Sequence, residues 1–244
     1  MDIHGFGYKT AWFAVRSESP RDVADAIGVS GARDVHWNEG VVTAYSEDSL
    51  VFVCPPVEGW ILAVGTSLLD LADQEPAFAA VASLVSERLG GAEVHYFASH
   101  RVVEAHGWAR CKGGQVQRAF LYVGSSGENP VDFGGQSYEE RALSFRFFDE
   151  QSQEAADDDY WDRTDLEFPT ETHVMRLAQA WSIDPSSLGD RGINFPNGLM
   201  GRVDVRRLRS LVQKSGFEEL DTHHSSAVVE NNAPPNRRPW WRFW

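Results

Sequence analysis

The chain has 244 residues, 42% of them hydrophobic and 24% charged, which is the composition of a globular protein. This length fits one large domain, or a domain with a smaller appendage, and buries roughly 70% of its unfolded surface. Lys and Arg number 22 against 36 Asp and Glu, a net charge of −14, and such a balance argues against nucleic acid as a partner because phosphates demand a cationic face.

Two cysteines, Cys54 and Cys111, are too few for a disulfide scaffold and suit a reducing, cytoplasmic compartment. The first residues lack a basic region followed by an apolar run, so no signal peptide is expected. Every apolar stretch falls short of the roughly 20 residues needed to span a bilayer. Arginine outnumbers lysine 19 to 3, a bias expected of a GC-rich bacterial genome.

Residues 8–15 are aromatic and apolar and predict a strand. Ser19 and Pro20 supply an N-cap and a first-turn proline. Val23, Ala26 and Ile27 follow at helical spacing, and Gly28 stops the helix. A strand is expected at 34–37, a turn at Asn38-Glu39-Gly40 and another strand at 41–45. Residues 50–54 form a short continuous apolar run, which predicts a strand buried on both faces. Pro55 and Pro56 end it, and Glu58-Gly59 lead into a strand at 60–64 that carries Trp60. Residues 76–89 place Phe78, Val81, Ala82, Val85 and Leu89 on one helical stripe, stopped by Gly90-Gly91. Strands are expected at 94–99, 102–111 and 116–123, the last two joined by a Lys112-Gly113-Gly114 hairpin. A short helix is expected near 138–143.

A helix followed by three or four antiparallel strands thus occurs twice, from Pro20 and from Pro76. The fold class expected over 1–148 is α+β: an antiparallel sheet with helices packed on one face, with this internal helix–strand repeat. Beyond Phe148 the composition changes. Residues 149–171 contain ten acids and one base, Arg163, a net −9, and like charges at that density predict an acidic linker or loop. A small helical segment is expected at 172–216. Its first helix carries Val174, Leu177, Ala178 and Trp181, and its last, arginine-rich helix carries Val205, Leu208 and Val212. Residues 217–244 read as a mostly disordered tail ending in the cationic-aromatic RRPWWRFW.

The chain has no Gly-rich phosphate loop, nucleophile elbow, Cys-x-x-Cys pair or His-Glu-x-x-His. The best polar cluster lies at 95–110. A strand over 102–111 would align His100, Glu104 and His106 on one face with Trp108 and Arg110. Two imidazoles and a carboxylate suit a divalent metal or acid–base chemistry. A solvated or interacting sheet face accounts for the same residues. Val174 to Leu188 has the flavour of a helix–turn–helix but lacks a turn glycine and lies among acids, which favours an ordinary helix hairpin. Asp157, Asp158 and Asp159 lack the spacing of a calcium loop. A solvated loop is the leading expectation for them; the functional alternative, with Tyr160 and Trp161 beside them, is an anionic docking strip with aromatic anchors for a basic partner. Trp240, Trp241 and Trp244, with Arg237, Arg238 and Arg242, could fold back on that strip, bind a partner, or touch a membrane interface.

The leading expectation is a non-catalytic cytoplasmic module that binds another protein, with neutralisation of a basic partner in the manner of an immunity protein as one concrete form. No cofactor is predicted. The alternative is a metal-assisted hydrolase built on His100, Glu104 and His106.

Overall fold

In the computed structural model, which describes residues 4–73, 77–191 and 195–214, strand β1 (Thr10–Arg16) forms the centre of a nine-stranded sheet. Helix α1 (Pro20–Ile27) follows it. The Ser19 side chain accepts from the Asp22 amide, and Gly28 closes the helix in the left-handed conformation. Next come β2 (Ser30–Val35), α2 (Trp37–Ser46), β3 (Leu50–Val53) and β4 (Trp60–Gly65). A 3-10 turn at Thr66–Leu71 leads to α3 (Ala77–Arg88). The meander β5 (Val94–His100), β6 (Ala105–Lys112), β7 (Gln115–Val123) and β8 (Glu128–Phe133) completes that half. Helices α4 (Tyr138–Ala142), α5 (Asp158–Trp161) and α6 (Glu171–Trp181), a 3-10 turn at Pro185–Arg191, β9 (Gly198–Arg202) and α7 (Val205–Lys214) end the described chain.

The strand order is β2-β9-β3-β4-β1-β5-β6-β7-β8, and every neighbouring pair is antiparallel. Period-two alternation sends Phe13 and Val15 of β1 to one face and Trp12 and Ala14 to the other. The first face meets α1, α3 and α7, the helical layer that the apolar stripes anticipate. There Phe13 packs edge-on against Tyr96, whose hydroxyl donates to the Leu68 carbonyl at 3.0 Å. The opposite face carries a second cover made from α2, α6 and the residues around Phe145 and Leu188. It is dominated by rings: Trp12 stacks on Phe97, and Trp108 on Phe120. Burying such a side chain contributes about 1.5–3 kcal/mol. Cys54 and Cys111 are buried and unpaired, one on each face.

Three elements depart from expectation. Residues 41–45 are not a strand but part of α2, whose buried positions Trp37, Gly40, Val41 and Ala44 follow helical spacing while Val42 points to solvent. Neither β8 nor β9 was anticipated. An edge strand containing Pro130 alternates poorly, and β9 is five residues with glycine at both Gly198 and Gly201. The range 172–216 is more than a helical appendage, because β9 threads between β2 and β3 and so belongs to the sheet. The tail at 217–244 lies outside the described residues. No helix among the described residues is long and apolar enough to cross a membrane.

Candidate functional site

The structure does not bring His100, Glu104 and His106 to one face. His100 closes β5 opposite Ala105, whereas His106 in β6 pairs with Ser99. Cα partners share a face, so the two imidazoles project from opposite sides of the sheet. Residues 101–104 between them form the hairpin turn, with Glu104 exposed at φ 50°. The two-residue period cannot run through a turn, which is why one strand over 102–111 gave the wrong alignment. His106 is 2% exposed, its Nδ1 lies 3.4 Å from Ser99 Oγ, and burial pushes its pKa down to about 3. Among the described residues no group of three His, Cys, Asp or Glu side chains is arranged to hold a metal ion.

A second polar cluster lies under α6. His95 sits between the rings of Trp60 and Trp181, and its Nε2 donates to Glu93 at 3.0 Å. Arg110 Nε donates to the same carboxylate at 2.9 Å and spans to Glu139, whose other oxygen accepts from Trp181 Nε1 at 3.3 Å. The His95 hydrogen bond, with Arg110 adding to it, holds Glu93 down to about 2 against the opposing effect of burial. Burial likewise lowers the pKa of His95. This ladder ties β5, β6, α4 and α6 together. Arg118 and Glu140 do the same beside it. The Arg118 Nε donates to both Glu140 oxygens at 3.0 Å, Trp108 Nε1 donates to one of them at 2.9 Å, and both charged side chains are almost wholly buried. Both clusters are engaged in internal pairing, and each holds a helix to the sheet.

The acidic run, expected as a linker or loop, carries two short helical turns. Ser152 caps a 3-10 turn at Gln153–Ala156, and Asp157 caps α5. The Glu150 amide donates to the Gly127 carbonyl in the β7–β8 turn, and Asn129 of β8 donates to the Phe148 carbonyl, so the run is fastened to the β8 edge. Tyr160 is buried, and its hydroxyl accepts from the Asp149 amide at 2.8 Å. It is therefore an anchor of the loop to its own body. Trp161 is 41% exposed, stacks on Phe148 at 5.6 Å and donates from Nε1 to the Ala155 carbonyl. Phe168, also 41% exposed, packs on the same Phe148 at 5.1 Å. Phe168 carried no signal in the sequence, because only its packing on Phe148, which Trp161 also contacts, marks it.

The charges around these rings divide into two sets. Arg163 bridges Glu154 and Asp165, Arg146 also reaches Asp165, and Arg101 lies 3.6 Å from Glu171. The Arg163 hydrogen bond holds Asp165 below the usual carboxylate range. Glu150, Asp157, Asp158, Asp159 and Asp162 are exposed and make no ion pair among the described residues. A shallow cleft of about 380 Å³, lined by Glu154, Asp157, Asp159, Tyr160 and Arg163, opens within the strip. Carboxylates next to exposed ring faces can receive a guanidinium or ammonium through both charge and cation–π attraction. Trp240, Trp241 and Trp244 lie outside the described residues. No family model, curated protein or solved structure matches the chain.

Proposed function

We propose that the chain is a non-catalytic, cytoplasmic protein-binding module that captures a basic partner on the acidic-aromatic strip. The observation that carries this reading is that Asp157, Asp158, Asp159, Glu150 and Asp162, all exposed and without an ion pair among the described residues, share one strip with the exposed rings of Trp161 and Phe168. An interface of this kind draws its energy from aromatic anchors and its association rate and selectivity from charge. Neutralisation of a basic protein, as an immunity protein does, is one concrete form of such a role. The internally paired Glu93–His95–Arg110 and Arg118–Glu140 clusters support a structural use of the buried charges.

The test compares the full chain with a variant carrying Asp157→Lys, Asp158→Lys, Asp159→Lys and Trp161→Ala as baits in host lysate. The native chain should retain a basic protein that the variant loses, and recovery should fall as salt rises. Equal capture by both baits, or a stoichiometric metal in the purified protein with no protein partner, would overturn the reading.

A further inference from the structure

We infer that the exposed ring pair Trp161 and Phe168 is the docking place of the chain's own segment 237–244, RRPWWRFW, so that the strip is self-occupied until a partner displaces that segment. The inference rests on the proposed function insofar as both use the strip as a receptor for cationic-aromatic ligands. Two rings, each 41% exposed and each packed on the buried Phe148, present apolar surface on the strip. Five exposed carboxylates on the same strip make no ion pair among the described residues. The segment 237–244 presents the complementary chemistry: Arg237, Arg238 and Arg242 interleaved with Trp240, Trp241, Phe243 and Trp244. Three guanidinium groups meet five carboxylates, and four rings meet two.

The connection is long enough. Helix α7 ends at Lys214 after packing on α3 and on the turn at Thr66–Leu71, whereas the strip is fastened at the β8 edge. Nine strands spaced about 4.8 Å apart make a sheet roughly 38 Å wide. Twenty-two residues separate Lys214 from Arg237, and a chain of that length reaches at most about 75 Å. Tethering makes docking intramolecular, with an effective concentration in the millimolar range for short connections, so a weak contact suffices. A free partner must then compete with a ligand of similar chemistry already in place.

The experiment uses full-length chains and a fluorescein-labelled synthetic RRPWWRFW peptide followed by anisotropy. One variant carries Arg237→Glu, Arg238→Glu and Arg242→Glu; a second carries Trp240→Ala, Trp241→Ala and Trp244→Ala, which guards against a fold defect in the first. The peptide should bind either tail variant at least about tenfold more tightly than the native chain. Adding Asp157→Lys, Asp158→Lys and Asp159→Lys should abolish that binding. Equal affinity for native and tail-altered chains would overturn self-occupancy while leaving the strip as a receptor. No binding to any chain would overturn both readings. Light scattering should report a monomer, and a dimer that dissociates in the tail variants would place the segment on a second copy instead.

Discussion

Arg118 and Glu140 show how much can depend on two residues. Each lies in a low-dielectric site where an unpaired charge is costly; Arg118 spends its donors on Glu140, Asp132 and the Ala119 and Phe133 carbonyls, and Glu140 accepts from Arg118, Trp108 and the Ser137 amide. Glu140→Gln should therefore remove the buried partner of Arg118, leave it the half-exposed Asp132 as its remaining carboxylate, and lower unfolding free energy by about 1–3 kcal/mol in chemical denaturation. A loss below about 1 kcal/mol would mean that water reaches the site. His106 and His95 matter through pH. Burial depresses both pKa values in the folded state, so the unfolded chain binds protons first. Their contribution is complete above the ordinary histidine pKa of 6.5 and is lost as pH falls toward the folded values, about 3 for His106. Glu93 adds a second loss between 4.5 and about 2. Stability should thus begin to decline below pH 6.5, and His106→Phe should flatten that decline by about 1.4 kcal/mol per pH unit. An unchanged slope in urea titrations from pH 6 to pH 4 would refute the assignment.

At the level of single elements, α2 is the instructive case. Val41, Val42 and Thr43 are β-branched, which favours an extended reading, and Gly40 looks like a turn residue. In the fold Gly40 serves close approach: a Cβ there would lie 2.4 Å from the Phe52 ring. Trp37 packs edge-on against that same ring at 5.8 Å and stacks on Phe195 at 4.2 Å. Gly→Ala inside a helix ordinarily stabilises by about 1 kcal/mol. Here overpacking against a fixed ring should win, and Gly40→Ala should destabilise the protein by about 1–3 kcal/mol. A rise in melting temperature would show that α2 can shift away from β3. The β5–β6 hairpin makes the complementary point. Its strands were legible from their apolar runs, but four residues of turn decided that His100 and His106 part to opposite faces.

For the molecule as a whole, the sheet is completed by a strand that arrives 150 or more residues after its neighbours, since Val51 pairs with Gly201 and Ser30 with Arg202. Both edges are ill suited to pairing with another chain. Strand β2 carries a register shift between Ser30 and Arg33, and β8 carries Pro130. The net charge of −14 is uneven, with −9 of it in 149–171 at the β8 side. Trp161→Ala should lower stability little, because the ring is 41% exposed, yet weaken capture of a basic partner at least about tenfold, as expected of an aromatic anchor. Unchanged binding would move the anchor role to Phe168.

Local patterns reached far into this protein. The Ser19-Pro20 start and Gly28 stop of α1, the stripe of α3, the apolar runs of β3, β4, β5 and β7, and the concentration of acid at 149–171 were all legible in the sequence, because each depends on neighbours a few residues away. The antiparallel α+β class followed from them. The tertiary structure alone placed β9 between β2 and β3, turned Tyr160 inward while leaving Trp161 and Phe168 at the surface, and separated His100 from His106. These outcomes depend on contacts between distant segments, and on turns that reset which face a side chain takes. A periodicity read along one segment carries no information about either.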